Sequence, residues 1–349
     1  ALRWVQDNIE AFGGDPRAVT VAGQSGGAFS AAVMMSRPEG AGLFRRAILQ
    51  SAPLGLRIPS RAESLHLTEQ YMEVLGVEDP AALRRLSWEE LLGPVPGLYQ
   101  RLHRWGAWAL AFQPVLDGVT LDSDPLDVVV DESGHDVEVM MGWTREETSF
   151  AFGFDPTVQG ATADRVIDRM RDALGDTAPV AYAAYAAARP GAGPHAVLQD
   201  FTTDELLRMP CLRWAEARAA RDLPTWVYQF DYPTPALDGR LAATHCLDLP
   251  FTFANFDAWG DAPFVAGIEP GVRDGLTQTM HQSWLSFIRG GNPSHDSLPD
   301  WEPYTIPVRT TMRFDAVTSP VGDLAGYWRR QWERAGAYGP SRLRTVETT

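Results

Sequence analysis

Hydrophobic positions at the start of the chain follow a helical spacing. Leu2, Val5, Ile9 and Phe12 lie three or four residues apart, which predicts an amphipathic helix. The turn residues GGDP at 13–16 then end this helix. A β-branched run, a glycine-rich turn, an alanine-rich stretch and a second apolar run follow at 19–22, 23–27, 28–35 and 46–50. This alternation predicts an α/β fold in which helices cover a parallel sheet.

The rest of the chain continues the alternation, with two longer helical segments. We expect helices over 56–95, ended by the PVPG of 94–97, and over 155–220, interrupted by PGAGP at 190–194. No linker separates independent domains, so residues 1–349 are predicted to form one discontinuous domain with these two helical insertions. Strands are predicted at 137–141, 225–230 and, last of all, 308–314, before a closing helix at 324–335.

The amino-acid composition argues against several kinds of partner and of catalytic mechanism. The formal net charge of −15 argues against nucleic acid or an anionic membrane as a partner. All 30 basic residues are Arg, which excludes a Walker A lysine, a Schiff-base lysine and a Ser-Lys dyad within this chain. Cys211 and Cys246 show no metal-ligand spacing, and a disulfide between them stays open. The sequence therefore predicts no cofactor, no metal and a small-molecule substrate.

Two further features concern origin and location. A composition rich in Ala and lacking Lys indicates a GC-rich, bacterial genome. The longest apolar stretch, 178–188, is too short to span a bilayer and predicts an alanine-rich helix. Since the chain opens within a helix and without Met, the compartment stays open between cytoplasmic and secreted.

Residues 23–27 read GQSGG, the G-x-S-x-G pattern of a nucleophile elbow. A serine hydroxyl becomes nucleophilic when a base takes its proton, so the fold must expose Ser25 on a sharp turn. Gly23 and Gly27 are expected to leave room for that turn. The alternative is an ordinary glycine-rich turn between strand and helix. The preceding β-branched run and the following helical stretch favour the nucleophile.

Eight sequence blocks are spread over nearly the whole chain. They are FGGDP at 12–16, VTVAGQSGGA at 19–28, RAILQSAP at 46–53, PVLDG at 114–118, GWTREETSF at 142–150, THCLDLPF at 244–251, WLSF at 284–287 and GNP at 291–293. In this order they resemble the type-B carboxylesterases, a family that includes cholinesterases and bacterial para-nitrobenzyl esterases. The resemblance implies an α/β-hydrolase fold, with a mixed, mostly parallel sheet and helices on both faces. It also implies a serine ester hydrolase with a Ser-His-Glu triad and an acyl-enzyme intermediate.

Among seven histidines, His245 is the predicted base. It follows a predicted strand by a loop and lies in a block similar to the family's H-G-x-E motif, here HCLD. Its place in the chain also fits the order serine, acid, histidine that α/β-hydrolases use. The other histidines precede any plausible acid, lie in polar turns or lie on a predicted helix: His66, His103, His135, His195, His281 and His295.

The predicted acid is Glu147. The resemblance to the family's G-x-x-x-D-E-G-S block, aligned on Gly142 and Ser149, makes it the catalytic carboxylate, and Glu146 becomes a solvent-facing or helix-capping group. Ser51, in QSAP, matches a family serine that hydrogen-bonds the acid, although a plain turn serine is an equal alternative.

The backbone N–H of Gly26 is the predicted donor to the oxyanion, where the family usually has Ala. Other departures put the substrate range in doubt: Gln24 for a common Glu, Thr148 for Gly after the acid, and Cys246 for Gly after the base. Ester, lactone, carbamate and thioester substrates all stay open. Five aromatic side chains line an acyl or alcohol pocket or belong to the core, namely Trp105, Trp108, Trp143, Phe150 and Phe152.

A catalytically silent binding or adhesion domain, as some family members are, is the alternative function. Silent members lose triad residues, and the presence of all three here favours an enzyme.

A glycine-rich oxyanion loop of the H-G-G-G type is not found upstream of the elbow. We therefore expect the chain to correspond to the C-terminal two-thirds of an esterase, lacking about 150 residues at ~30 per strand–helix unit. Residues 1–349 alone are expected to aggregate, because the strand before the elbow would be left at a sheet edge with unpaired backbone groups. Otherwise they are expected to be a poor esterase, because each missing oxyanion donor costs about 10²–10³ in rate.

Overall fold

One six-stranded sheet organises the structure, a computed structural model that describes residues 1–108, 110–132, 137–260 and 262–338. The strands lie side by side in chain order. The first five are parallel, and the sixth pairs antiparallel with the fifth. They are β1 (Thr20–Gln24), β2 (Arg46–Gln50), β3 (Glu138–Thr144), β4 (Thr225–Phe230), β5 (Thr310–Phe314) and β6 (Ser319–Gly322).

The chain divides into two compact units, 1–55 together with 125–349, and 56–124. The first unit contains the sheet, and the second contains one helix of 15 residues and two shorter ones. The helices are α1 (Leu2–Asn8), α2 (Gly26–Met35), α3 (Arg61–Leu75), α4 (Trp88–Leu92), α5 (Val95–Leu102), α6 (Pro125–Glu132), α7 (Ser149–Phe152), α8 (Pro156–Gln159), α9 (Ala163–Leu174), α10 (Ala178–Ala188), α11 (Pro194–Thr203), α12 (Met209–Ala219), α13 (Leu249–Phe253), α14 (Pro270–Gly290) and α15 (Gly326–Arg334).

In the second unit, two helices begin with a serine that the sequence supplies for that purpose. Ser60 and Ser87 each accept a hydrogen bond from a glutamate N–H three residues later, and each glutamate carboxylate returns to the serine N–H. The hydroxyl of Tyr71 on α3 donates to the carbonyl of Leu91 at 2.5 Å. The PVPG segment at 94–97 lies where the helical pattern is interrupted, but the interruption is short. Helix α4 ends at Leu92 and α5 already begins at Val95, because proline is tolerated in a first helical turn.

Register along the parallel strands separates the two faces of the sheet. Ile48 pairs with Met140, and Met140 pairs with Trp226, so these side chains share one face. Long apolar side chains of α14, among them Trp284 and Phe287, join the same buried cluster. The strands β2, β3 and β4 are buried almost throughout, as strands covered on both faces must be.

The carboxyl ends of the parallel strands all meet at one edge of the sheet. Ser25 directly follows β1, and Ser51 directly follows β2. The segment 145–149 follows β3, and the loop that carries His245 follows β4. In open parallel sheets ligands bind outside these ends. The topology therefore brings every predicted site residue to the same edge.

The helical segment from Pro194 to Ala219 contains an inserted turn. Residues Asp204–Arg208 form a π-helical turn between α11 and α12. Arg208 is buried and forms an ion pair with Asp204 at 3.0 Å, and the hydroxyl of Tyr185 on α10 donates to the same carboxylate. Burial raises the pKa of Asp204 to about 7, against the lowering effect of the Arg208 charge.

Most elements agree with the sequence predictions, and β6 does not. Its residues, SPVG, include a proline, which sequence reasoning assigns to a loop. Proline is tolerated here because the strand lies at the sheet edge. Both cysteines are free, and burial raises the pKa of the Cys211 thiol. Each helix in the described part of the chain is too short or too polar to cross a membrane.

Candidate active site

The elbow at Ser25 is held in a rarely adopted backbone conformation. Ser25 has φ 55° and ψ −119°, and its N–H donates to the carbonyl of Gln50 at 2.9 Å. A side chain on Gly23 would bring its Cβ within 2.3 Å of the Gly27 carbonyl carbon. Gly23 is therefore required for the turn. A Cβ on Gly27 would meet no described atom outside the backbone of its own helix within 4 Å. The feature of Gly27 that matters to the turn is therefore its backbone, which lies close to Gly23.

Gly26 begins α2, a helix of ten residues, and is exposed. Backbone N–H groups in the first turn of a helix have no partner within that helix. They also carry the positive end of the helix dipole. The Gly26 N–H beside Ser25 therefore stands where an anionic oxygen is stabilised.

Glu147 lies at the end of β3 with its carboxylate buried. One oxygen, Oε1, accepts a hydrogen bond from the Thr144 N–H at 2.7 Å. The N–H of Glu147 donates to the hydroxyl oxygen of Thr203, at the end of α11, at 3.1 Å. Thr203 is 56 residues away in sequence, and no sequence signal indicated its contact with the acid. These two bonds leave the second carboxylate oxygen directed at His245.

The imidazole of His245 lies against that oxygen. Its Nδ1 is 2.5 Å from Glu147 Oε2. Burial alone would lower the pKa of His245, but the Glu147 charge, hydrogen bonds of the imidazole with Cys246 and Glu147, and the Cys246 charge raise it above its usual range. The ring of Phe150 stacks on the imidazole, with 5.7 Å between ring centroids. The imidazole is thus held by a carboxylate at one edge and an aromatic ring on one face.

The other imidazole nitrogen faces the elbow. His245 Nε2 lies 3.1 Å from the amide nitrogen of Gln24, the residue before Ser25. In the neutral ring with Nδ1–H donated to Glu147, Nε2 accepts the amide N–H of Gln24. The structure therefore brings Glu147, His245 and the Ser25 turn together in a single connected arrangement, and Gln24 is a contact that its sequence position alone did not indicate.

Glu146 corrects one sequence expectation. It is neither solvent-facing nor a helix cap, since it is 4% exposed and forms ion pairs with Arg145 and Arg189. Its Oε2 accepts a hydrogen bond from the N–H of Ala243 at 3.1 Å, within the loop that leads to His245. The backbone of Glu146 also pairs with Thr244 in an isolated parallel β-bridge, so Glu146 lies next to the His245 loop and not at the surface.

Ser51 corrects a second expectation from the sequence. Its hydroxyl is fully buried and has no hydrogen-bond partner among the described residues, so the predicted bond to the acid is not formed. The oxygens of Glu147 are already engaged by Thr144 and His245. The backbone of Ser51 instead turns the chain at the end of β2, with φ 50° and its N–H donated to the carbonyl of Gly142 at 2.8 Å.

The aromatic residues divide between core and site. Trp143 is fully buried and donates its indole N–H to Gln229 at 2.8 Å, and Phe152 is also buried. Phe150, in contrast, is 39% exposed beside the imidazole. Trp105 and Trp108 belong to the second unit. Of the five aromatic residues, Phe150 is the one in contact with His245 in the first unit.

A buried polar cluster lies three residues beyond His245. Gln50 donates to Asp248 Oδ2 at 2.9 Å and accepts the indole N–H of Trp284 at 3.0 Å. Burial raises the pKa of Asp248 to about 6, opposed by the hydrogen bond from Gln50. Since Gln50 ends β2, this cluster ties the start of α13 to the sheet.

The remaining described histidines with polar partners serve structural contacts. His281 Nδ1 lies 2.9 Å from the carbonyl of Thr252, and His295 Nε2 lies 3.2 Å from the hydroxyl of Ser283. His135 falls outside the described residues. Over the described ranges, no group of three or more His, Cys, Asp or Glu side chains is placed to hold a metal ion.

Comparison with known proteins identifies the family. Residues 1–323 match the model of the carboxylesterase family. The chain belongs to the carboxylesterase family. It is 43% identical over 301 residues to the phenmedipham hydrolase of Pseudarthrobacter oxydans, covering 86% of this chain and 60% of that protein. It is 30% identical over 327 residues to the para-nitrobenzyl esterase of Bacillus subtilis, covering 90% of this chain and 62% of that protein.

Solved carboxylesterase structures share the fold. The carboxylesterase EST55 of Geobacillus stearothermophilus superposes with a TM-score of 0.81 at 31% identity, covering 95% of this chain and 67% of that one. The mostly parallel sheet with helices is thus the α/β-hydrolase fold of carboxylesterases. This family member spans about three-fifths of the curated relatives that it matches, 60% and 62% of their lengths.

Proposed function

We propose that the protein is a carboxylic ester hydrolase that acts through Ser25, His245 and Glu147. The observation that carries the proposal is the 2.5 Å contact of His245 Nδ1 with Glu147 Oε2, with Nε2 turned towards the Ser25 elbow. A serine nucleophile, a histidine base and an acid that fixes the base's tautomer are the parts that acyl transfer requires. Membership of the carboxylesterase family supports the same reaction class.

The proposed reaction has two halves. Ser25 Oγ attacks the ester carbonyl while His245 Nε2 takes its proton, and the oxyanion is stabilised by the Gly26 N–H. When the tetrahedral intermediate collapses, His245 returns that proton to the leaving alcohol, and the acyl group stays on Ser25. Water then attacks the acyl-enzyme with His245 again as base, which releases the acid and restores the serine hydroxyl. Glu147 stabilises the imidazolium in each half.

Trapping the acyl-enzyme tests this proposal. We expect the full-length protein, mixed with a para-nitrophenyl ester and quenched in acid, to carry the acyl mass on the peptide that contains Ser25. Binding of the ester with no turnover and no adduct would support the silent binding domain instead. Turnover with the acyl group on another residue would contradict Ser25 as the nucleophile.

For the substrate, two relatives suggest the compounds to compare. We infer that esters of para-nitrobenzyl alcohol and phenmedipham are both hydrolysed, because relatives at 30% and 43% identity are named for these compounds. Phe150 beside His245 offers an aromatic surface to either compound. Comparing kcat/KM for the two compounds ranks them, and absence of turnover with both would remove the inference.

Replacing Gln24 with glutamate is expected to move the acid limb of the kcat/KM profile to higher pH. A carboxylate beside Nε2 stabilises the imidazolium, which raises the pKa of His245, and the enzyme then needs a higher pH to free the base. We expect a shift of about one unit. The profile is measured with a para-nitrophenyl ester, with Gln24→Met as the uncharged control. A shift to lower pH in Gln24→Glu would contradict the assigned contact.

A further inference from the structure

Three charged side chains connect the helical region to the segment that carries the acid. Arg189 directly follows α10, Asp200 lies on α11, and Glu146 precedes Glu147. The Arg189 guanidinium forms an ion pair with Glu146 Oε1, and its Nε lies 2.7 Å from Asp200 Oδ2. The side chains of Glu146 and Asp200 are 6% and 2% exposed, and that of Arg189 is 17% exposed.

Stability is a weak explanation for such a group. Removing charges from water is costly, and well-packed apolar residues in place of a buried ion network are often neutral or stabilising. The effect of the ion pairs on the position of the Glu146 carboxylate is a better explanation. Glu146 Oε1 is held by Arg189, which Asp200 pairs in turn, and by Arg145 at 3.3 Å, so the other oxygen of Glu146 points in a set direction.

That other oxygen reaches the loop of the base. Glu146 Oε2 accepts the N–H of Ala243 at 3.1 Å, and the Glu146 N–H donates to the Ala243 carbonyl at 3.1 Å. Ala243 lies two residues before His245, and Glu146 lies one residue before Glu147. Glu146 therefore makes two hydrogen bonds between the segment carrying the acid and the loop carrying the base, and the Ser149 hydroxyl adds a third, to the Leu241 carbonyl at 2.5 Å.

We propose that Arg189 is a positioning residue, which through Glu146 keeps the His245 loop in register with the Glu147 carboxylate. The inference rests on the proposed function, because it assigns Arg189 a part in the same reaction. Arg189 touches neither reacting group; it acts by holding the carboxylate that holds the loop. Misplacement of a catalytic group by about 1 Å can cost ~10²-fold in rate, so a contact at this remove can matter.

Other charges around the two centres enter the expected pH behaviour. Around Arg189, burial raises the pKa of Asp200 to about 6 and the Arg189 charge lowers it, whereas burial and then the Arg189 charge lower the pKa of His195. The described titratable or charged groups that bear on the two centres are Glu146, Asp200, His195, Arg145 and Arg208 on the Arg189 side, and Glu147, Cys246 and Asp248 on the His245 side.

Arg189→Met separates positioning from simple electrostatics, because the two predict opposite signs. Removing a positive charge at a distance would raise the pKa of His245 and move the acid limb of kcat/KM to higher pH. Loosening the His245–Glu147 contact removes the interaction that raises this pKa, and moves the limb to lower pH. We expect the shift to lower pH, with kcat reduced about tenfold and KM little changed.

Two variants control for charge and for stability. Arg189→Lys keeps the charge but cannot span both carboxylates as the guanidinium does, so its kcat should fall between those of wild type and Arg189→Met. Arg169→Met breaks another buried arginine–carboxylate ion pair, the one between Arg169 and Glu205. Neither of these residues belongs to the acid segment or to the His245 loop. This variant should lower Tm and leave both kcat and the pH profile within about twofold of wild type.

Proton NMR of the full-length protein provides a readout that needs no turnover. A short Nδ1–H to carboxylate hydrogen bond gives a far-downfield resonance, assigned by its absence in His245→Ala. We expect it to weaken or vanish in Arg189→Met and to persist in Arg169→Met. An unchanged resonance, or a limb moved to higher pH, would overturn the role of Arg189. Failure of the proposed function would appear differently, as full activity in Ser25→Ala.

Discussion

Replacing Ser25 with alanine is expected to abolish nearly all turnover of a para-nitrophenyl ester, with kcat reduced by about 10⁶-fold. The reason is that the elbow holds this hydroxyl next in sequence to Gln24, whose amide nitrogen lies 3.1 Å from His245 Nε2. Its backbone is held at φ 55° by the bond to Gln50 and by the close approach of Gly23 to Gly27. Alanine is smaller than serine and introduces no clash, so Tm should change little. Loss of activity with the fold retained is therefore the expected combination.

A fluorophosphonate probe gives the independent measurement. In wild type it should label the peptide containing Ser25, and in Ser25→Ala the label should disappear. Ser36 is the matched control, since it ends the same helix and its hydroxyl donates to the carbonyl of Val33 at 2.8 Å. Ser36→Ala should keep both labelling and turnover. Labelling of a different serine in active wild-type protein would reject the assignment.

Glu147→Gln is expected to lower kcat by up to ~10⁴-fold, the cost of losing the group that orients the base. An amide in place of Oε2 can present N–H to Nδ1, which favours the wrong tautomer of His245. The pH profile should change as well. The carboxylate raises the pKa of His245, so its removal lowers that pKa and moves the acid limb of kcat/KM to lower pH.

The control for Glu147 lies on the strand that precedes it. Glu138 occupies the opposite end of β3, where it forms an ion pair with Arg46 at 2.6 Å. Glu138→Gln should reduce stability and leave kcat and the acid limb nearly unchanged. If Glu147→Gln retained near-normal kcat, the carboxylate would not be the acid, and the 2.5 Å contact would be structural.

The parts of the site that could be predicted from sequence are those fixed by local pattern. The elbow could be predicted from a β-branched run that leads into GQSGG, because the patterns of a strand, a sharp turn and a helix follow one another directly in the sequence. The choice of Glu147 over Glu146 followed from alignment on Gly142 and Ser149. The structure brings Glu147 to His245, whereas Glu146 contacts Ala243 and Arg189.

The parts that sequence could not supply depend on distant packing. Glu146 looked like a surface carboxylate because Arg189 lies 43 residues further on, in a helical region with no motif. Likewise, Thr203 contacts Glu147 and Gln24 contacts His245, and in each case the fold joins residues that are far apart in sequence. Ser51 shows the opposite error, since a family motif indicated a hydrogen bond to Glu147, whereas the Ser51 hydroxyl has no hydrogen-bond partner among the described residues.

The π-helical turn at Asp204–Arg208 has a consequence for how this edge of the sheet tolerates change. Thr203 accepts the Glu147 N–H, and Arg208 donates to the carbonyl of Arg145 at 3.3 Å, so both face one segment. In a regular α-helix, five residues rotate through about 500°, leaving the two side chains ~140° apart. The wider turn returns Arg208 nearly to the direction of Thr203. Removing one residue from the turn would leave Thr203 and Arg208 four residues apart, which in a regular α-helix separates them by only ~40°, so both would still face the same segment. The π-helical turn therefore lets this edge carry one additional residue while it keeps both supports.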